Sequence, residues 1–150
     1  METGISTLQN SQKIALDTMI FIYHLENNLV YQKSTSKILR SIEIGEKQGV
    51  TSTITLLELL VKPMQMENQA IVENYTFALT TFPNLRLCEL STEIAVKSAE
   101  LRAKYRISMP DAIQIATAII EESDHFITND QSLNKIEEIS IIPLDQLKNT

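Results

Sequence analysis

Two hydrophobic patterns alternate along the chain. One is a short, continuous apolar run, and the other is a longer stretch in which apolar residues recur at helical spacing. The short runs predict five strands, at residues 14–16, 50–54, 85–90, 125–128 and 139–142. The longer stretches predict six helices, at residues 19–25, 34–48, 56–61, 69–82, 91–105 and 110–122. Because helices separate the strands, we expect right-handed crossovers and helices on both faces of a parallel sheet. The pattern therefore predicts a three-layer α/β fold around a five-stranded sheet.

Two residues are expected to end predicted helices. Gly49 follows the second helix and precedes the β-branched run at 50–54, so we expect the helix to stop there. Pro63 follows the short third helix, which it should break because proline cannot donate the next helical hydrogen bond.

Four acidic residues stand where predicted strands end or predicted helices begin: Asp17, Glu58, Asp111 and Asp130. The carboxyl ends of parallel strands converge on one crevice, so side chains far apart in sequence can meet there. Carboxylates that close repel one another, and a divalent cation would offset the repulsion. Oxygen ligands suit Mg²⁺ or Mn²⁺ rather than zinc. The four acids therefore predict a Mg²⁺ or Mn²⁺ site.

Each acid also has a simpler explanation, since Asp and Glu are favoured at helix starts by capping and by the helix dipole. The first and fourth acids could cap the helices that follow them. The spacing of Thr55 to Glu58, and of Ser108 to Asp111, fits a capping box. Glu58 strains this explanation because leucines flank it, and a charge there would be costly unless it faced a polar cleft. Asp111 leads a mostly apolar helix, so we expect it at the edge of the core.

Length and composition indicate one globular domain. The 150 residues are enough to bury a core. The first dozen residues are polar, without a basic start or an apolar centre, so we expect a flexible segment at 1–12, a single domain at 13–150 and no secretion signal. Cys88 is the only cysteine, which excludes an intramolecular disulfide or a cysteine zinc cluster. With no long apolar run, these features predict a cytoplasmic protein that does not span a membrane.

The formal net charge of −6 argues against a general nucleic-acid binder, which usually carries a basic surface. It does not exclude a nucleic-acid enzyme, because active-site carboxylates supply part of the charge and a divalent cation offsets it. The densest basic stretch, Arg102, Lys104 and Arg106, comes just before Asp111. It could contact a phosphate backbone, although a solvated helix face is the commoner role for such a stretch.

The sequence lacks the residue patterns that other hydrolytic mechanisms require. The two histidines, His24 and His125, have no zinc-ligand spacing and are expected to be structural or surface residues. The chain has no Gly-rich phosphate loop, no G-x-S-x-G sequence and no Cys/His pair near a plausible nucleophile. Metal-assisted hydrolysis is the chemistry that remains.

The segments IALDT, TITLLELL, LRAKYRISMPDAIQIATA and FITND resemble those of PIN-domain nucleases, most of all the VapC-type toxins of toxin–antitoxin pairs. The resemblance covers residues 13–144, and its specific part is 101–118 followed by 128–130. It implies a PIN-like five-stranded parallel sheet between helices and a Mg²⁺ or Mn²⁺ site. It also implies endonucleolytic cleavage of RNA that leaves a 3′-hydroxyl and a 5′-phosphate.

The resemblance implies these residue roles: Asp17, Glu58, Asp111 and Asp130 as catalytic and metal-binding acids, with Thr18, Thr128 and Asn129 as supporting residues. It also implies a small antitoxin whose tail would cover the acidic cleft with a basic side chain. The Met- and Leu-rich stretch at 59–66 could form the antitoxin interface or a homodimer interface, although core packing is the commoner fate of such residues. The chain departs from the family pattern in two places. The family commonly has an aromatic residue where Leu133 stands, and it often has a glycine in the region of 122–124. Both departures bear on the shape of the substrate groove and so on RNA specificity.

Three other interpretations can be weighed. A receiver-like Mg²⁺-binding signalling domain needs an acidic pair after the first strand and a lysine after the fifth, where this chain has a single Asp17 and Asp145. A phosphatase of the haloacid-dehalogenase type needs an aspartate where Met19 stands. A catalytically silent PIN domain would only bind a partner, and the presence of all four acids argues against it. Asp124 and Asp145 are expected to be surface acids.

Overall fold

In a computed structural model that describes residues 8–148, the chain forms a five-stranded parallel sheet with helices on both faces. The strands are β1 (Lys13–Leu16), β2 (Gln48–Ser52), β3 (Leu85–Cys88), β4 (His125–Thr128) and β5 (Ser140–Pro143). The helices are α1 (Thr18–Leu25), α2 (Gln32–Glu43), α3 (Thr53–Gln65), α4 (Gln69–Thr80), α5 (Thr92–Tyr105) and α6 (Met109–Ile120). Short 3₁₀ helices follow β4, at Gln131–Lys135, and β5, at Leu144–Leu147. The predicted three-layer α/β fold around a five-stranded parallel sheet is confirmed.

Alternating side chains of the central strands enter two cores, one on each face of the sheet. In β1, Ile14 and Leu16 pack with α1, α2 and α3, whereas Ala15 packs with α5 and α6 on the other face. β4 divides in the same way, with Ile127 on the first face and Phe126 on the second. Because these strands are buried on both faces, they appear in the sequence as continuous apolar runs and not as alternating apolar and polar residues.

The strand order β3-β2-β1-β4-β5 places β1 in the middle of the sheet. The chain adds β2 and β3 on one side of β1 and then crosses over to add β4 and β5 on the other. Ala15 pairs with Val50 of β2 and with Phe126 of β4, all in parallel. A crevice forms at the carboxyl ends of the strands at such a topological switch point. Asp17, directly after β1, lies at this crevice.

The predicted helix end at Gly49 is wrong. α2 ends at Glu43, and the turn after it is made by Gly45, whose φ of 85° favours glycine. Gly49 instead lies inside β2, where a Cβ would come 2.7 Å from Ile42 Cδ1. This glycine therefore allows α2 to pack closely on the sheet.

α3 is longer than predicted at both ends. The Ser52 hydroxyl accepts a hydrogen bond from the Ile54 N–H and caps the helix, so residues 53–54, predicted as strand, begin α3. Pro63 lies in the last turn, and the helix continues past it to Gln65. The predicted break is wrong because a proline this near the end removes only one helical hydrogen bond.

Residues 8–12 contact the connection between α2 and β2. Lys47 Nζ donates hydrogen bonds to the backbone carbonyls of Leu8 and Ser11, and Ser11 is buried. The rest of the segment predicted to be flexible, residues 1–7, lies outside the described residues. In the part of the chain that is described, no helix is long and apolar enough to cross a bilayer.

Gly49→Ala should lower the free energy of unfolding by about 1–3 kcal/mol. The added methyl group would overlap Ile42 Cδ1 and Leu85 Cδ1, which lie 2.7 and 2.9 Å from the Cβ position, and Ile42 is fully buried. Urea unfolding followed by circular dichroism measures the difference. Glu46→Ala, at a nearby exposed position, is the control and should stay within about 0.5 kcal/mol of wild type. A Gly49→Ala protein as stable as wild type would contradict this packing.

Candidate metal centre

Asp17 lies at the junction of the central strand and the first helix. Its Oδ1 accepts a hydrogen bond of 2.8 Å from the Thr18 backbone N–H, which caps α1. Its Oδ2 accepts a hydrogen bond of 2.7 Å from Thr128 Oγ1. Asp17 is only 8% exposed. One carboxylate is therefore buried at the crevice in a fixed orientation.

Thr128 connects Asp17 with the fourth predicted acid. The hydroxyl that donates to Asp17 also accepts a 3.1 Å hydrogen bond from the Asp130 backbone N–H. Asp130 is exposed, and its Oδ1 accepts hydrogen bonds from the Ser132 N–H and hydroxyl at 2.9 and 2.7 Å. Asp130 thereby caps the 3₁₀ helix after β4 and lies at the same edge of the sheet as Asp17.

Asp111 lies in the first turn of α6 and is half-buried. The Ser108 hydroxyl accepts a 3.3 Å hydrogen bond from the Asp111 backbone N–H and donates one of 2.9 Å to Oδ2. Ser108 is therefore the helix cap, as its spacing from Asp111 predicted. The same contact holds the Asp111 carboxylate at the helix start.

Glu58 extends into the crevice from α3. Its Oε1 accepts a hydrogen bond of 2.7 Å from Thr18 Oγ1, and the residue is exposed. The cap of α3 is Ser52, whereas Thr55 is fully buried inside the helix. The predicted capping box of Thr55 with Glu58 is therefore wrong, and the contact with Thr18 gives Glu58 a polar environment instead.

Burial and neighbouring charges raise the pKa of two of the acids. Burial raises the pKa of Asp17 to about 6; the hydrogen bonds that it accepts oppose the rise, and the charges of Asp111 and Glu58 add to it. Burial likewise raises the pKa of Asp111, with a further contribution from the charge of Asp130. The four carboxylates therefore share one electrostatic environment.

The donor atoms of this environment suit a hard divalent cation. All four side chains offer carboxylate oxygens, the ligands that Mg²⁺ and Mn²⁺ prefer. A cation would also offset the cost of ionising Asp17 among like charges. Within residues 8–148, no three acidic, histidine or cysteine side chains are already close enough to hold a metal ion. Cation binding would therefore require the carboxylates to close in, and Glu58 and Asp130 are exposed enough to turn.

The remaining predicted supporting residue, Asn129, contacts an aromatic pair. Its Nδ2 donates a 3.4 Å hydrogen bond to the Tyr23 hydroxyl. Tyr23 stacks on Tyr31 with 4.6 Å between ring centroids. Asn129 thus connects the end of β4 to α1, beside the acids.

The three predicted RNA-binding residues differ in their contacts. Arg102 Nε donates a hydrogen bond to the Ile107 carbonyl, and Lys104 forms an ion pair of 3.3 Å with Glu138. Arg106 follows α5 in the left-handed region, with a φ of 58°, and is exposed. Its side chain makes no hydrogen bond or ion pair within residues 8–148. Of the three, Lys104 alone is paired with a carboxylate within residues 8–148, and Arg106 is the one with no side-chain contact of this kind.

Two further acids and one leucine that the sequence analysis named do not contact the four acids of the crevice. Asp124 is exposed, as predicted, at the opposite end of β4. There it accepts hydrogen bonds from the backbone N–H groups of Lys13 and Gln12, which lower its pKa. Asp145, also exposed, accepts a hydrogen bond from the Tyr31 hydroxyl. Leu133 is fully buried in the core, so it does not line a substrate groove.

The sequence analysis missed Gln114, which is 2% exposed inside α6. Its Nε2 donates hydrogen bonds to Thr55 Oγ1 at 2.7 Å and to Thr18 Oγ1 at 3.2 Å. Its Oε1 accepts a 3.3 Å hydrogen bond from the Ser52 N–H. The available signal was a polar residue three positions after Asp111, in a helix whose other inward positions are mostly apolar.

Fold and crevice together define a class of protein: a parallel α/β domain with acidic side chains at its topological switch point. A model of the PIN domain family matches residues 14–139. The chain belongs to the PIN domain family. This match sets aside the receiver-like alternative. No match was found among curated proteins.

Several solved structures share the fold. A toxin–antitoxin complex from Klebsiella pneumoniae gives a TM-score of 0.68 at 23% identity, over 87% of this chain and 97% of that chain. DNA-bound VapBC from Salmonella typhimurium gives 0.68 at 20% identity, over 89% and 98%. VapBC2 from Rickettsia felis, bound to a DNA fragment from its promoter, gives 0.67 at 19% identity, over 88% and 98%. At these identities the similarity shows the fold.

Removing the Asp17 charge should stabilise the metal-free protein at neutral pH. The pKa of Asp17 in the folded protein, about 6, lies above the ordinary value of 3.8 for an aspartate, so the folded protein holds an extra proton between these values. Wild type therefore loses stability as pH rises through this window. Asp17→Asn carries no such charge. With EDTA present, its free energy of unfolding near neutral pH should exceed that of wild type by on the order of 2 kcal/mol.

Urea titrations of both proteins in EDTA, at about pH 4 and about pH 7.5, measure this difference. The difference should shrink at the lower pH, where Asp17 of folded wild type is protonated. A difference that is the same at both pH values would contradict the raised pKa.

Proposed function

We propose that the protein is a metal-dependent endoribonuclease that hydrolyses RNA phosphodiester bonds and acts in the cytoplasm as the toxin of a toxin–antitoxin pair. The observation that carries this proposal is the convergence of Asp17, Glu58, Asp111 and Asp130 on one crevice of a PIN domain. These acids come from four separate elements of the chain, and their charges act on one another.

In this proposal Asp17 and Asp111 would hold Mg²⁺ or Mn²⁺, with help from Glu58 and Asp130. The hydrogen bonds that orient the carboxylates of Asp17 and Asp111 support their role as the fixed ligands. When bound, the cation would make a water molecule more acidic and offset the charge that develops on the phosphate oxygens. Thr128 keeps Asp17 oriented throughout.

The open side of the crevice supports access for RNA. Glu58 and Asp130 are exposed and Asp111 is half-buried, so a phosphate group can approach from solvent. Arg106, in the connection that leads to Asp111, offers a positive charge for the RNA backbone. The overall charge of −6 does not exclude RNA binding, since a bound cation would offset part of the charge of the four acids and this arginine adds a positive charge nearby.

An antitoxin partner is part of the proposal. One of the similar solved structures is a toxin–antitoxin complex. Next to the acids, a groove of about 280 Å³ runs between α1, α3 and α4. Its apolar lining includes Ile22, Leu25, Leu59, Pro63, Met66, Ile71 and Tyr75. Glu58 also lines it, as do Glu26 and Lys62, which form an ion pair of 3.5 Å. The groove therefore suits a partner segment with apolar side chains and a basic residue near Glu58.

A homodimer is the second proposed assembly. Leu57, Val61 and Met64 are 59%, 46% and 57% exposed, and their spacing places them along one face of α3. An apolar strip of this kind is typical of a protein interface.

A Val61→Glu and Met64→Glu double variant should be monomeric, because each substitution would bury a charge in the proposed dimer interface. Light scattering after size exclusion should give the wild type twice the chain mass of 17.0 kDa and the variant once that mass. Leu90→Glu, which replaces a 51% exposed leucine after β3, is the control and should remain dimeric. A double variant that is still dimeric would rule out this interface.

Asp17→Asn and Asp111→Asn should each reduce RNA cleavage by at least about 10²-fold, because each removes a proposed ligand of the cation. Purified proteins are incubated with a mixed RNA pool that includes transfer RNAs, with Mg²⁺, with Mn²⁺ or with EDTA. Cleavage is followed on denaturing gels and should need the cation.

Asp124→Asn is the matched control, since it removes an aspartate charge at the opposite end of β4. It should cleave at the wild-type rate. Normal cleavage by Asp17→Asn would refute the assignment. A wild-type protein that cuts no RNA would favour the catalytically silent, partner-binding alternative.

A further inference from the structure

One buried amide joins three helices that each carry an acid. Gln114 is 2% exposed, and all the other residues at 112–118 in α6 are buried as well. An apolar side chain of the same length would fill this space without the cost of desolvating an amide. Core packing alone therefore gives no reason for a glutamine at this position.

The amide oxygen and both amide N–H groups of Gln114 form hydrogen bonds with residues of other elements. Its oxygen accepts from the Ser52 N–H at the start of α3, and its nitrogen donates to Thr55, also in α3. The second N–H donates to Thr18 in α1. Gln114 is thus a bridge from α6 to α3 and α1.

The direction of each proton in this bridge can be assigned, because a hydroxyl has only one. Thr51 donates to a backbone carbonyl of β1 at 2.9 Å, so Thr55, 2.7 Å from Thr51, donates to it. Thr18 donates to Glu58 at 2.7 Å. Thr18 and Thr55 have then both used their protons, so no hydrogen bond joins their oxygens, which lie 3.2 Å apart, and each can only accept. The two N–H groups of Gln114 supply the protons that they accept.

Each of the two threonine partners of the amide lies close in sequence to an acid. Thr18 directly follows Asp17 and also holds the Glu58 carboxylate. Thr55 comes three residues before Glu58, on the same side of α3. Gln114 itself comes three residues after the acid that begins α6. A displacement of this amide would therefore be transmitted to three carboxylates.

We propose that Gln114 is a positioning residue: it fixes the relative places of the three chain segments that carry Asp17, Glu58 and Asp111, so that their carboxylates can close on a divalent cation. The proposal rests on the metal-dependent function proposed above. Gln114 touches neither the cation nor the RNA and acts through its two threonine partners. Its loss should therefore weaken metal binding in a protein that is still folded.

Gln114→Met tests this role because it keeps the length of the side chain and removes both donors and the acceptor. Isothermal titration of the purified full chain with Mn²⁺ should give a Kd at least about tenfold weaker than that of wild type. Such a loss is usual when residues that orient metal ligands are replaced. RNA cleavage, measured at a Mn²⁺ concentration near the wild-type Kd, should fall with it.

Thr117→Val is the matched control. It removes a buried hydroxyl from the same helix, and that hydroxyl donates only to the Ile113 carbonyl. Its melting temperature should fall while its Kd for Mn²⁺ stays at the wild-type value. Thr55→Val is the second variant should Gln114→Met not fold. It breaks the bridge at α3 with a side chain of the same shape, and should weaken Mn²⁺ binding by about fivefold.

Weaker Mn²⁺ binding by Gln114→Met or Thr55→Val, with Thr117→Val unchanged, is the expected result. Equal Kd values for wild type and the folded bridge variants would overturn the proposal, as would a wild type that binds no Mn²⁺. A wild type that binds Mn²⁺, with the expected losses in the variants, but cuts no RNA would refute the nuclease function and leave the positioning role intact.

Discussion

The burial of the Asp17 carboxylate, among other acids, is the constraint on which the rest of the site depends. This side chain is buried at the end of the central strand, and its pKa is raised to about 6 by burial, with further contributions from Asp111 and Glu58. Helix starts offset part of that cost: Asp17 caps α1, Asp130 caps a 3₁₀ helix, and Asp111 lies in the first turn of α6. The positive ends of these helices therefore point at the crevice. Capping and site formation use the same atoms, and neither explanation excludes the other.

The four acids of the site differ in how firmly their carboxylates are oriented. Asp17 and Asp111 are oriented by hydrogen bonds from Thr128 and Ser108, whereas Glu58 and Asp130 are exposed. A divalent cation bound by the first pair could draw in the second pair, because exposed carboxylates can change rotamer. The new contacts would replace the hydrogen bonds that Glu58 accepts from Thr18 and Asp130 accepts from Ser132. This difference explains why, within residues 8–148, the crevice offers carboxylates suited to a cation although no three of them are yet close enough to bind one.

Much of this arrangement could be predicted from the sequence. Strands buried on both faces are apolar runs, and the acids that interrupt the pattern lie where those runs end. The boundary between β2 and α3 could not be predicted, because Ser52 caps the helix and outweighs the β-branched character of Thr53 and Ile54. Gln114 could not be assigned a role either. Its partners come from α1 and α3, and only the folded chain brings them together.

The central claim is that four distant acids form one cation site at the switch point of the sheet. A crystal soaked in Mn²⁺ and measured near the manganese absorption edge tests it directly, since the anomalous difference map locates the ion without reference to activity. The account predicts a single strong peak between the carboxylates of Asp17 and Asp111, with Glu58 or Asp130 within direct or water-mediated reach. Saturating Mn²⁺ that leaves this crevice without a peak, or with ions only elsewhere on the surface, would contradict it.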